Sequence, residues 1–464
     1  MCSRAIRTAG IFQIMSRSSH PRVDFADPVA GDPLRLLFLT PFPPSLEGAH
    51  GGSRVIAQLL ARLASRHRVG LLSLKRAGEP SVDPRLRSAL DFAVEVTRDD
   101  APRSLRRRSF RSVRSRLRLL AGTPLWASEL DNSEFRNRLH ELRADWRPEI
   151  VQLEYPVMGI YLDEIHAAGC GTVLAVHDPS TNAAIDLGRS SDGDRMLRRL
   201  DVRAWRRFES DVLTRVDAAV AFTPRDVEVL SSLAPTAEVV RIPFGTDFFE
   251  QADSPPAIGD DESVLFVGNF VHPPNVDAAN RLVRVIFPLV RERVPTARLT
   301  LVGDNPPAQL RARAGAGVTV TGRVPDIVPF IERAAVVAAP LRFGGGMRVK
   351  VLEALAAGKP VVASRLAVEG LDVADGDQLL IAETDEAVAD AIVRALNNRE
   401  LRERLGKRAW SWARENLSWD ASVDAYDELY RRLLAGHRLP QSHEPAELLG
   451  RRRHQAVLGD KSGR

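Results

Sequence analysis

The chain has 464 residues, 44% hydrophobic and 27% charged, a globular composition with room for two or three domains. No uninterrupted apolar run approaches the ~18 residues of a membrane-spanning helix. The two cysteines, Cys2 and Cys170, argue against a disulfide scaffold or a cysteine metal site and fit a reducing cytoplasm. The net charge of +5 is local: Arg103–Arg118 holds eight arginines and no acid, and without them the net charge would be −3.

Nothing before Leu34 reads as structured. Ala9 to Ile14 is too brief for a signal peptide, and Met15 is an alternative start, so residues 1–32 are expected to be a disordered extension. From there short apolar strands alternate with amphipathic helices. Leu34–Leu39 reads as a strand, Thr40–Gly52 as a Pro/Gly loop, and a helix from about Ser53 puts Val55, Ile56, Leu59, Leu60 and Leu63 on one face. Further strands are expected at Val69–Leu74, Glu149–Leu153, Thr172–Val176, Ala218–Phe222 and Val239–Pro243, with helices near Ser133–Ala144 and Arg195–Thr214. The alternation predicts an α/β fold with a parallel sheet covered on both faces, a first domain over 33–246.

Residues 247–262 are polar and Pro-rich, which predicts a linker. The alternation then restarts as a second domain over 263–418. Strands are expected at Val264–Val267, Arg298–Val302, Val318–Val320, Val336–Ala339, Pro360–Ala363 and Gln378–Ile381. Helices are expected at Val276–Arg293, Asp385–Leu396, Glu400–Glu415 and Trp419–Leu434. The tail over 437–464, with Arg451-Arg452-Arg453, is expected to be disordered and basic.

The stretch from Gly344 to Ser364 reads as a glycine loop, a helix over Met347–Ala357, a stop at Gly358-Lys359-Pro360 and a buried strand. A helix N-terminus behind a glycine loop is an anion site. Arg348 and Lys350 stand in its first turn, where cations oppose the dipole unless an anion lies near. A phosphorylated ligand follows. Other strand ends carry candidates: Gly51-Gly52-Ser53-Arg54, His177-Asp178, Gly268-Asn269-Phe270 and Gly303-Asp304. Ligands of such folds lie outside the carboxyl ends of strands, and between two domains the cleft is the expected place.

With these segments the chain resembles the retaining GT-B glycosyltransferases of the family 4, or group 1, type. The resemblance rests on Val264–Asn269 with Pro274-Asn275-Val276-Asp277, Leu301–Asp304, Val320–Val324, Arg348–Ser364, Ala367–Leu371 and Asp375-Gly376-Asp377. In the first half it rests on the glycine loop, His177-Asp178 and Ile242–Asp247. It implies two Rossmann-like domains facing a central cleft, with a final helix at 419–436 crossing back to the first domain. It implies a nucleoside-diphosphate sugar donor, with Glu353 on the ribose hydroxyls, Arg348 and Lys350 on the diphosphate, and His177 beside the transferred sugar. Gly344, Gly345, Gly346, Gly268, Asn269 and Glu369 fall at nucleotide-sugar positions, and Gly51 and Gly52 at the acceptor or diphosphate loop.

Two departures stand out. Gly345 occupies the position, eight before Glu353, where many members have a first glutamate, which fits a subgroup with Gly-Gly-Gly-x-Arg-x-Lys. Where many relatives have an Arg and a Lys after the first strand of the second domain, this chain has Asn269, Phe270, His272, Pro273 and Pro274. Arg348 and Lys350 are read as replacing those cations.

The implied reaction moves a sugar to an acceptor hydroxyl with retention, through an oxocarbenium-like transition state. Cations and a helix N-terminus stabilise the leaving diphosphate. No cluster at metal-ligand spacing is present in the sequence, so no metal and no further cofactor is expected. In Arg103–Leu120, Phe110, Val113, Leu117 and Leu120 recur at helical spacing among the arginines. Such a helix suits an anionic membrane surface and a glycan or lipid-linked acceptor, in cell-surface polysaccharide or glycolipid synthesis. A solvated helix is the plain alternative, and without an aromatic platform nucleic acid is not an expected partner. The expected location is cytoplasmic, peripheral to the inner face of the plasma membrane. The competing readings are a sugar-nucleotide epimerase on the same fold and a non-catalytic sugar-nucleotide or membrane-binding member.

Overall fold

A computed structural model describes residues 31–46, 51–98, 118–166, 169–182, 184–185, 195–246, 262–345 and 348–438. The expected extension up to residue 30, the linker from 247 to 261, the tail from 439, Gly346 and all but Arg118 of the arginine segment lie outside the described residues.

The first domain is a seven-stranded sheet in the order β3-β2-β1-β4-β5-β6-β7. Its strands are β1 (Arg35–Thr40), β2 (Arg68–Arg76), β3 (Phe92–Arg98), β4 (Ile150–Glu154), β5 (Gly171–Val176), β6 (Ala218–Ala221) and β7 (Val239–Arg241). The second is a six-stranded sheet, β10-β9-β8-β11-β12-β13. Its strands are β8 (Ser263–Val267), β9 (Arg298–Val302), β10 (Val318–Gly322), β11 (Val336–Ala339), β12 (Val361–Ala363) and β13 (Leu380–Ile381). Every strand pair is parallel. Within β1, β5, β11 and β12 apolar residues follow one another without alternation, because helices cover both faces. Strand order reverses beside β1 and β4 in the first sheet and beside β8 and β11 in the second. Those two switch points open the crevices in which such folds take ligands.

Three expectations need correction. The edge strand β3 is missing from the expected elements; its Phe92, Val94 and Val96 alternate with other residues because one edge strand is only half covered. Gly51 and Gly52 do not end a loop but form the first turn of helix α1 (Gly51–Leu63). The expected helix Val276–Arg293 starts at Pro273, where proline fits a helix's first turn, and carries a π-turn at Leu282–Ile286. Asp32, the last residue of the expected extension, accepts from Arg431 through its carbonyl.

The remaining helices that bear on the site are α2 (Ser133–Asp145), α3 (Arg195–Arg215), α4 (Pro224–Leu233), α5 (Pro273–Arg281), α6 (Val349–Ala356), α7 (Asp385–Asn397), α8 (Arg399–Asn416) and α9 (Trp419–Arg438). The last leaves the second domain and packs on the first. Trp419, Val423, Tyr426 and Tyr430 share one core with Leu36, Phe38, Val173 and Phe244. At the hinge Thr246 N donates to Leu417 O at 3.1 Å, and a Cβ on Gly245 would lie 2.4 Å from Trp419 N.

Gly303, at the end of β9, has φ +147, and a Cβ there would lie 1.8 Å from the carbonyl oxygen of Gly268 at the end of β8. Both factors oppose any side chain. Gly303→Ala is expected to destabilise the fold by more than about 2 kcal/mol, read by urea unfolding.

Candidate active site

The crevice between the domains is framed by two helix N-termini. Helix α1 follows β1, and α6 follows β11 through the glycine loop. They meet closely: a Cβ on Gly51 would lie 3.1 Å from the Val349 side chain. Both ends direct positive dipole charge toward one place. Ser53 holds the α1 entry by accepting from Ser45 N at 3.1 Å.

Three cations join these ends. Arg54, in the first turn of α1, pairs with Glu353 of α6 at 2.6 Å across the crevice. The other carboxylate oxygen of Glu353, Oε2, is buried with no hydrogen-bond partner. A buried acceptor left open is costly, and a ligand hydroxyl would satisfy it. Arg348, the residue before α6, donates from Nη2 to Gly344 O at 2.7 Å, while its Nε is buried without a partner. Burial lowers the pKa of its guanidinium, opposed by the fields of Asp178, Asp226 and Glu369. Lys350 donates to Asn275 Oδ1, and its Nζ sits 4.5 Å from the centre of the Phe266 ring. Burial first, and Arg348 second, pull its pKa down to about 7, with Glu353 acting the other way. His272 is held lower by burial and by this same lysine.

On the first domain's side, His177 follows β5 and Glu154 ends β4. His177 Nε2 lies 2.6 Å from Glu154 Oε2. Tyr155 stacks on the imidazole with centroids 4.2 Å apart and planes 16° apart. Phe222 and Phe244 close its surroundings at 5.1 and 5.7 Å. Asp178 reaches across to the glycine loop, where a Cβ on Gly345 would lie 2.0 Å from Asp178 Oδ1. The space expected of a side chain at 345 is thus filled by a carboxylate from the opposite domain. Gly344 has φ +113, and a Cβ there would lie 3.0 Å from the Pro274 ring.

The structure therefore gathers Gly51, Arg54, His177, Asp178, Gly344, Gly345, Arg348, Lys350 and Glu353 about one crevice. Gly52 contributes only backbone in the first turn of α1. Gly268 packs against Asn275, so the β8 end approaches the Lys350 partner rather than the crevice centre. Asn269 is used locally, accepting from Val271 N through Oδ1 at 3.1 Å and from Asn275 Nδ2 through its carbonyl. Glu369 pairs with Arg225 of α4 at 2.7 Å, a half-exposed bond between the domains. Arg54 stands out in the sequence only as the end of the glycine segment, and Glu154 and Tyr155 do not stand out there as functional candidates. Their one signal is position, since each lies at or just beyond a strand's carboxyl end. Among the described residues no group of three or more His, Cys, Asp or Glu could hold a metal ion.

Two parallel-sheet α/β domains with a crevice between them have the GT-B architecture. Residues 261–398 match the family model described as Glycosyl transferases group 1. It is similar to the phosphatidyl-myo-inositol mannosyltransferase of Mycobacterium leprae, 32% identical over 180 residues, 36% of this chain and 47% of that one. The chain spans about half the length of the curated mannosyltransferases it matches. Among solved structures, the sucrose-phosphate synthase of Thermosynechococcus elongatus has the same fold, with TM-score 0.64 and 18% identity over 87% of this chain and 100% of that one. The Anabaena HepE structure, a complex with UDP and glucose, has TM-score 0.59 and 14% identity over 86% of this chain and 99% of that one.

Proposed function

We propose that the protein transfers a sugar from a nucleoside-diphosphate sugar to an acceptor hydroxyl, with retention and without metal, in cell-surface polysaccharide or glycolipid synthesis. The observation that carries this reading is the open, buried Oε2 of Glu353 at the end of a crevice lined by Arg54, Arg348 and Lys350. A ribose diol would fill the first and a diphosphate would neutralise the second. A carboxylate accepts from two adjacent hydroxyls, which suits Glu353 to the ribose.

In the reaction the bond from the anomeric carbon to the diphosphate oxygen breaks, and the acceptor oxygen forms the new bond. Charge builds on the departing diphosphate, where Arg348, Lys350 and two helix N-termini stabilise it without reorganisation. The leaving phosphate takes the acceptor's proton, as retention on one face requires. Closed domains exclude water and so protect the donor from hydrolysis. His177 lies on the opposite wall, suited to a hydroxyl of the transferred sugar. The named relatives in phosphatidyl-inositol mannosylation support a lipid-linked or glycan acceptor. An anionic membrane surface, met through Arg103–Arg118, is the partner proposed for a cytoplasmic, peripheral enzyme. No helix among the described residues is long and apolar enough to cross a membrane.

A thermal-shift panel of UDP-, GDP-, ADP- and TDP-sugars, with and without chelator, tests the reading. One base is expected to stabilise the wild type with chelator present and to leave Glu353→Ala unshifted. Binding without transfer to any acceptor would instead favour the non-catalytic reading. Binding with conversion of the donor to an epimer would favour the epimerase.

A further inference from the structure

A continuous buried chain of hydrogen bonds runs from the C-terminal helix to His177. Tyr430 of α9 donates to Gln152 Oε1 in β4. Gln152 Nε2 donates to Glu154 Oε1 at 2.7 Å, and Glu154 Oε2 meets His177 Nε2 at 2.6 Å. Tyr430 and Gln152 are 0% exposed and Glu154 is 1% exposed, so water does not compete for these bonds.

The chain has a direction. A tyrosine hydroxyl that donates to Gln152 Oε1 turns the amide so that its NH₂ faces Glu154. A carboxylate only accepts, so the nitrogen of His177 that meets it must carry hydrogen. Nδ1 is then the ring nitrogen left for a substrate hydroxyl. The face of the ring is fixed as well, by Tyr155, whose backbone stands at φ +75. That conformation is rare for a bulky residue, and such strain gathers where a side chain must be aimed.

We propose that Tyr430, Gln152 and Glu154 form a positioning relay that locks His177 in its Nε2–H tautomer and presents Nδ1 to the transferred sugar. The lock also ties His177 to the helix that crosses between the domains. This rests on the glycosyl-transfer reading only for the role of Nδ1; the tautomer stands on the hydrogen bonds alone.

Glu154→Gln is the near-isosteric test. Its amide oxygen stays toward the Gln152 NH₂, so its own NH₂ faces His177 and demands an acceptor there. The tautomer should switch to Nδ1–H. Exchanging the two residues, Gln152→Glu with Glu154→Gln, should restore it. The new carboxylate at 152 accepts from Tyr430 and from the amide at 154, whose oxygen then accepts from His177. ¹⁵N NMR of the histidine-labelled full chain reads the tautomer, with the His177 signal assigned by its loss in His177→Phe. Glu154→Gln should also lower kcat by roughly 100-fold, with donor affinity within twofold of wild type and recovery in the exchanged pair. Tyr430→Phe frees the Gln152 amide to turn and should give a mixture of tautomers. An unswitched tautomer in Glu154→Gln, or no recovery in the exchanged pair, overturns the relay. A switched tautomer with unchanged kcat overturns the role of Nδ1. Wild type that binds no sugar nucleotide would sink the glycosyl-transfer reading and leave the tautomer result to decide the relay.

Discussion

Lys350→Met is expected to make the protein more stable and unable to hold its donor. The lysine is partly buried between Asn275 and the Phe266 ring, and its pKa there is about 7 against an ordinary 10.5. Between those two values the unfolded chain binds a proton that the folded chain does not, so the lysine's destabilising effect shrinks as pH rises from 7 toward 10. Below pH 7 both states are protonated and the penalty is complete. Each tenfold loss of proton affinity on folding corresponds to about 1.4 kcal/mol. Discounted for the part of the side chain near solvent and for the lost Asn275 and Phe266 contacts, methionine should gain about 1–3 kcal/mol at pH 6. The gain should narrow toward pH 10, as measured by urea unfolding across that range. A diphosphate reverses the balance, because a bound anion favours the charged amine. Wild-type donor affinity should fall as pH rises above 7, with proton uptake visible in calorimetry, and the variant should lose at least 100-fold in affinity. Equal stability of the two proteins at pH 6 would show that the lysine is not under this strain.

Gly345→Glu is expected to disable the protein, and shortening Asp178 in the same chain is expected to rescue it. A side chain at 345 would begin 2.0 Å from Asp178 Oδ1, and two carboxylates would then crowd one place. The single variant should lose at least tenfold in donor turnover, with the domains held apart. Asp178→Ala with Gly345→Glu removes the clash and returns one carboxylate to the same space, so most of the loss should be recovered. The coupling between the two sites should exceed about 1 kcal/mol in a double-mutant cycle on donor binding, as expected of residues in contact. A Gly345→Glu protein with wild-type turnover would mean that the two loops do not meet in solution.

Both predictions concern contacts between segments far apart in the chain, and that is where sequence reading stops. The βα alternation is legible because buried parallel strands such as Leu36–Leu39 and Val361–Ala363 are apolar runs bounded by turn residues. The glycine loop and the cations after it are legible because a helix N-terminus imposes local rules on composition. The edge strand Phe92–Arg98 escapes because most of it is only half-buried and its pattern is weak. Glu154 escapes because an acidic residue at a strand end has many ordinary uses, and only the fold sets His177 2.6 Å from it. Arg54 reads locally as part of a glycine turn, and nothing near it says that its partner is Glu353, 299 positions away. Asn269 and Glu369 sit where a ligand contact is expected, but the fold gives their side chains a turn and an interdomain ion pair.

By itself, then, the amino-acid sequence determined two βα domains, a glycine loop opening a cationic helix, and the candidates Arg348, Lys350, Glu353 and His177. The domains, the loop and its two cations follow from short-range physics: strand and helix periodicity, the freedom of glycine, and the field of a helix end; His177 stands out by its place at a strand end, and Glu353 through the family resemblance. The tertiary structure alone decided that Asp178 fills the space above Gly345, that Arg54 holds one oxygen of Glu353, and that Tyr430 reaches His177 through Gln152 and Glu154. Each joins residues brought together by packing two domains and one crossing helix, and no local pattern encodes that distance.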